Sequence, residues 1–311
     1  MAALTVAESI YLSTALGGIL YGIYCVIFIQ YLNLRNKAVG NTLLYPLCAL
    51  FLLGSAFVAI GYAQGFFYLL RPTAPGTDVI LFRLRLSTST IYSFADLISQ
   101  GVLIYRCWIV WGKHLLVIVI PSTLAVASFV TDIVLVAELG VFGPAPRNPP
   151  DWFTKLGTSS FSISLATNTI VTAILVLKLL IVHRELEGSG VKGDYLSTVV
   201  SILIESGALT FISQLIWVVL FSLQNITTGF DAVGALTALA CGIAPTAVIV
   251  RVAMGRSYES RLTHVESTLH FQVRDNYDTS ITTGTVGQTA QKSLNATRVD
   301  NSTEKLEKQS V

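Results

Sequence analysis

Charge is scarce in this chain. Asp, Glu, Lys and Arg make up 12% of its 311 residues, 53% are hydrophobic, and the mean hydropathy is +0.67; a soluble domain carries about twice that share of charge. A net charge of +2 and the lack of any dense basic patch exclude nucleic acid as a partner, because neutralising a phosphate backbone takes clustered Lys and Arg. Histidine is confined to His114, His183, His264 and His270, all outside the apolar runs. A zinc hydrolase needs several His or acidic ligands at one depth, and a Ser–His dyad needs its imidazole, so neither is expected. Cys25, Cys48, Cys107 and Cys241 sit inside apolar runs as small hydrophobes, forming neither a disulfide framework nor a metal set. Lysine is absent from 230–253, which removes a retinal Schiff base. Asp96 and Asp132 could share a proton and activate water, but neither "FADL" nor "VTDI" carries the glycine-rich signature of intramembrane aspartyl proteases. The sequence therefore predicts no enzyme, no cofactor and no metal.

What is present is length of apolar chain. Runs of about 20 or more residues, enough to cross roughly 30 Å of hydrocarbon, recur near 9–33, 42–65, 86–112, 115–139, 157–182, 196–223 and 230–253. They are continuous and lack the ten-residue alternation of a membrane barrel, so the predicted fold is an all-α seven-transmembrane helix bundle over 1–253. The first run follows Glu8 with no basic residue before it and is longer than a signal-peptide core, so it is expected to stay as the first span. With the N-terminus outside, the inner connections hold Arg35, Lys37, Arg106, Lys113, Lys178, Arg184, Lys192, Arg251, Arg256 and Arg261. The outer ones hold Arg71, Arg83, Arg85, Arg147 and Lys155. The excess of inner Lys and Arg favours an extracellular N-terminus and a cytoplasmic C-terminus.

After Met254 the composition turns polar. Tyr258, Leu262, Val265 and Leu269 recur at helical spacing beside Arg256, Arg261 and His264, which predicts an amphipathic membrane-surface helix over 254–271. Residues 272–311 cannot bury enough apolar area to offset their ordering entropy and read as a disordered cytoplasmic tail. The sequon at Asn225 lies on the outer side in this topology, and those at Asn295 and Asn301 lie inside.

Polar residues interrupt the spans in register. Ser89, Ser93, Asp96 and Gln100 form one stripe of the third helix. An Asp at a helix centre costs about 2.5–3.5 kcal/mol to insert, while each large apolar residue returns about 0.3–0.6, so the stripe must face protein. Ser128 and Asp132 share a face of the fourth span, Ser164, Asn168 and Thr172 one of the fifth, and Thr198, Ser201 and Glu205 one of the sixth. Two layers follow: an outer ligand cavity around Asp96, Gln100, Asp132 and Asn168, and an inner switch in which Arg106 of the third helix pairs with Glu205 of the sixth. Arg106, near the inner face, is expected to snorkel. Pro46, Pro121 and Pro245 fall in spans, and Pro245 is the candidate hinge. Gly18 with Gly22, and Gly61 with Gly65, are small residues four apart that permit close helix approach and, with it, a homo-oligomer.

The segments "ADLISQGVLIYRCWIVWGK" (95–113), "SLATNTIVTAILVLKLL" (164–180) and "ILIESGALTF" (202–211) resemble the shared segments of a seven-transmembrane, receptor-like (serpentine) protein family of mushroom-forming basidiomycete fungi. The resemblance covers the third to seventh spans and implies a serpentine, receptor-like membrane protein of unknown ligand; with the two polar layers, the reading is a plasma-membrane receptor that signals to a cytoplasmic partner, a heterotrimeric G protein or another effector. "YRCW" (105–108) is similar in position to the Arg motif of rhodopsin-like receptors. The chain departs from that group in having no acid before Arg106, no Asn-Pro-x-x-Tyr in the last span, and a very short connection at Gly112, Lys113 and His114. Two other readings stay open: a transporter or proton-linked channel using the intramembrane acids, and a membrane scaffold without ligand.

Overall fold

The computed structural model describes residues 6–38, 43–70, 76–143, 150–188, 194–223, 231–251 and Met254. Apart from Met254, the expected surface helix, the polar tail and all three sequons lie outside the described residues. Among the described residues there are seven long helices: α1 Val6–Ala38, α2 Leu44–Leu70, α3 Thr77–Val110, α4 Leu116–Phe142, α5 Asp151–Gly188, α6 Asp194–Ser222 and α7 Asp231–Arg251. No strand occurs among the described residues. Six of the helices, all but α3, are long and apolar enough to cross a bilayer, the character of an integral membrane protein. The expected third span is a helix that starts at Thr77 and not near 86, so Arg83 and Arg85 belong to its first turns and not to a loop.

Hydrogen-bonding groups at the helix ends explain the connection between α3 and α4. The α3–α4 turn needs only residues 111–115 because the chain reverses through two left-handed residues, Gly112 (φ 65°) and Lys113 (φ 66°). The Lys113 amide donates to the Trp108 carbonyl at 2.9 Å and the Gly112 amide to that of Ile109 at 3.1 Å, satisfying carbonyls the helix leaves open. So short a link makes α3 and α4 antiparallel neighbours.

The last helix is the innermost. Of its apolar window 72% is buried, against 17–22% for the other five spans that meet the membrane criterion. Small residues make this possible: Ala232, Gly234, Ala235, Ala238, Ala240 and Gly242 keep α7 thin, so neighbouring helices approach its backbone. The Ser13 hydroxyl of α1 donates to the Asp231 carbonyl at 2.9 Å. Tyr24 of α1 lies against Gly242, Gly54 of α2 faces Leu239, and Trp217 of α6 covers Gly234. Val248 packs with Leu175 of α5 and Leu203 of α6, and Ile249 and Val250 join Phe28, Tyr31, Leu47, Leu50 and Ala95 in one core cluster. Pro46 is in the first turn of α2 and Pro121 within α4, and α7 continues as helix through Pro245.

The glycine pairs divide in use. Gly18 faces Tyr62 and Gly65 faces Thr14 across the α1–α2 contact, where Tyr21 and Ser55 also share a 2.7 Å hydrogen bond; Gly22 and Gly61 face open space. A Cβ at Gly242 would stand 2.8–2.9 Å from the fully buried Tyr24 ring. Gly242→Ala is therefore expected to lower stability by about 1–3 kcal/mol, whereas Gly22→Ala should shift it by no more than about 1 kcal/mol, in the stabilising direction. Thermal melting of the two variants in detergent reads the difference.

Candidate functional site

At helical spacing, Ser93, Asp96 and Gln100 share the inner face of α3, and Ser160, Ser164 and Asn168 recur every fourth residue on α5. The two faces meet. Asp96 and Gln100 are 2% and 1% exposed. The Gln100 amide nitrogen donates to Asp96 Oδ2 at 2.8 Å and to Ser164 Oγ at 3.0 Å, and the Ser164 hydroxyl donates to the same Asp96 oxygen at 2.7 Å. From α7 the Cys241 thiol donates to Asp96 Oδ1 at 3.8 Å. One carboxyl thus collects donors from its own helix, from α5 and from α7, which is how a polar group without water is satisfied.

Asp132 of α4, 3% exposed, has the parallel arrangement one turn away on α5: it accepts a short hydrogen bond from the Ser160 hydroxyl. Ser160 in turn accepts one from the Thr131 hydroxyl at 2.9 Å. Asn168 takes another direction. Its side-chain nitrogen donates to Gln214 Oε1 of α6 at 3.1 Å. Tyr92, Phe161 and Trp217 form an aromatic layer one turn toward the N-terminal end of α3; Tyr92 stacks on Trp217 at 5.9 Å, and the Phe161 ring meets Trp217 edge-on at 5.7 Å.

These contacts revise two expectations. Asp96, Gln100 and Asp132 are gathered in one seam with α5 as its spine, but they are packed side chains and do not line an open vestibule; Asn168 bonds α5 to α6 instead of joining the acids. The inner pair does not form. Glu205 is 75% exposed and its carboxylate lies 3.6 Å from Arg251 Nη1 of α7. Arg106 donates from Nη2 to the Pro245 carbonyl of α7 at 3.2 Å, with Tyr31 of α1 in electrostatic range. The reason is geometric: side chains tilt toward a helix's N-terminus, so the guanidinium reaches back along α3 into the bundle and does not snorkel. Arg106 and Glu205 both engage α7, and neither engages the other. The Arg106–Pro245 contact joins the expected switch residue to the expected hinge.

Sequence reasoning missed Ser160, Cys241, Gln214 and Arg251. The spacing of Ser160, four before Ser164, was a usable signal; Cys241 read as a hydrophobe, and nothing in "ISQLIW" said which neighbour Gln214 would meet. Lys178, counted among the inner basic residues, lies 5.3 Å from the centre of the Trp111 ring, whose indole nitrogen donates to the Ile174 carbonyl at 3.4 Å. Among the described residues no group of three or more His, Cys, Asp or Glu could hold a metal ion. Compared with known proteins, the chain matches no family model, no curated protein and no solved structure.

Removing the Ser164 or Ser160 hydroxyl leaves a buried carboxyl short of a donor, so Ser164→Ala and Ser160→Ala should each cost about 1–3 kcal/mol. Ser159→Ala, whose exposed hydroxyl bonds only its own helix at Lys155, should change stability by less than about 0.5 kcal/mol. Melting curves of the three proteins in nanodiscs give the comparison.

Proposed function

We propose that this chain is a seven-span, receptor-like integral membrane protein of the plasma membrane, its N-terminus extracellular and its C-terminus cytoplasmic. It senses a ligand on its outer side and signals to a cytoplasmic partner of the heterotrimeric G protein or effector class. In this reading α3 is the seventh span. Its polar residues Ser93, Asp96, Ser99 and Gln100 are buried in protein while Phe94 and Ile109 face outward, and it lies against α2 and α4, two helices apolar enough to span. The resemblance of segments 95–113, 164–180 and 202–211 to basidiomycete serpentine proteins points the same way.

The observation that carries the proposal is the placement of α7. It is the most enclosed helix, and polar links tie it to three neighbours at separate levels: Ser13–Asp231 to α1, Cys241–Asp96 and Arg106–Pro245 to α3, and Arg251–Glu205 to α6. A ligand favouring one placement of such an element shifts the whole bundle between two states. Asp96, Gln100 and Asp132 form the ligand-responsive seam beneath the Tyr92, Phe161 and Trp217 layer. Arg106 is the latch that holds α7 in the resting form.

Recruitment of heterotrimeric G protein subunits to the expressed chain tests this. Arg106→Ala releases the Pro245 carbonyl and should raise basal recruitment severalfold at equal surface level. Absence of recruitment in both proteins, with solute or proton flux in reconstituted vesicles, would assign transport instead. A tag after Val311 should be protected in intact cells and reached only after permeabilisation, and an N-terminal tag should behave oppositely.

A further inference from the structure

Asp96 and Asp132 are anchored by serines four residues apart on α5, so their hydrogen-bond partners are separated by about 6 Å along that helix. Among the described residues neither carboxyl forms an ion pair, and Arg106, on the same helix as Asp96, is engaged at Pro245. Two like charges so placed, out of water and without a countercharge, oppose each other. The groups facing Asp96 are Asp132 from α4, Cys241 from α7 and Tyr92 and Gln100 from α3 itself, with Ser164 from α5 and Phe57 of α2 packed beside Tyr92 and Cys241. None of these is a cation.

A second observation concerns Gln100. Its side chain is 1% exposed and its amide nitrogen is used twice, yet the carbonyl oxygen Oε1 is enclosed without any donor. This acceptor is shut in beside a carboxylate that takes the Gln100, Ser164 and Cys241 donors, and it lacks one hydrogen. A proton on Asp96 supplies it: with the carboxamide turned over, Oε1 takes the amide nitrogen's place beside Asp96 Oδ2 and accepts from the new carboxyl O–H, while the nitrogen gives up its hydrogen bonds to Asp96 and Ser164. A cavity of about 10 Å³ beside Tyr92 and Ala95 is the size of one water, too small for a hydrated ion.

We infer that Asp96 is a proton-binding site, with Gln100 turning to accept from its protonated form, and that α7 reads its occupancy through the Cys241 thiol. The proton comes from bulk water and adds to one carboxylate oxygen; no other bond changes. A neutral Asp96 is a poorer acceptor than a carboxylate, so protonation weakens the S–H···O link and loosens α7 from α3 at this level. The coupling to signalling rests on the reading of α7 as the moving element, whereas proton binding does not.

Infrared difference spectra of the full chain in nanodiscs, titrated between about pH 4 and pH 10 to bracket the ordinary carboxyl and thiol ranges, separate the two. The expected result is that the carbonyl stretch of a protonated carboxylic acid grows as pH falls, while one S–H stretch moves to higher frequency over the same pH interval. Cys241→Ala should remove that S–H band and leave the carboxyl band. Asp96→Asn should remove the carboxyl change and fix the S–H band. If Asp96→Asn does not fold, Gln100→Leu serves in its place, and a shift of the common titration midpoint by one pH unit or more is expected. A carboxyl band and S–H band that both ignore pH would overturn the proposal. So would a titration in which the S–H band of Cys241 stays fixed while the carboxyl changes, or one that appears only with sodium and vanishes with a bulky organic cation. Failure of G protein recruitment leaves all these spectra unaffected.

Discussion

A carboxyl group inside a helix bundle has no water to turn to, and everything around Asp96 follows from that constraint. Its two oxygens need donors, and its own helix brings only one of them. Ser164 from α5 and Cys241 from α7 meet it, with Gln100 from its own helix completing the set. To bring α7 that close its backbone must be thin, and the run of alanine and glycine from 232 to 242 provides this. Tyr24 and Trp217 then lie over Gly242 and Gly234 as large rings against small residues. The polar seam and the apolar core are thus one arrangement. Moving α7 outward by a methyl's width would open the contacts of both.

The six most apolar helices were legible because each is a continuous run bounded by charge or proline, and hydropathy alone finds such runs. The α3 stripe was legible too, since Ser93, Asp96 and Gln100 keep helical phase and no lipid-facing alternative is tolerable. What the sequence did not disclose is which helix faces which. Glu205 keeps a helical phase that suited an inward pair with Arg106, but it faces out and meets Arg251, because its choice depends on how α6 is rotated against α7. Arg106 was expected to send its charge toward the inner face, but its side chain slants back into the bundle toward Pro245. Asn168 shows the same lesson at smaller scale. It shares a face with Ser164, yet four residues of helix are enough to hand it from the α3 side to Gln214 of α6.

Enclosure of the last helix bears on how the chain is made. Synthesis delivers α1 to α6 before α7 exists, so Asp96, Tyr24 and Trp217 enter the membrane facing a slot whose occupant is still in the ribosome. Until residue 251 emerges, that slot holds lipid tails or water, and the Asp96 carboxyl has only the partners that α3 and α5 supply. The step that adds α7 is therefore the seating of a helix among neighbours already made, against faces of α1, α2, α3, α5 and α6. Truncation before Asp231 would leave the faces that α7 covers, Asp96 among them, without their partner, the kind of surface that quality control recognises and removes.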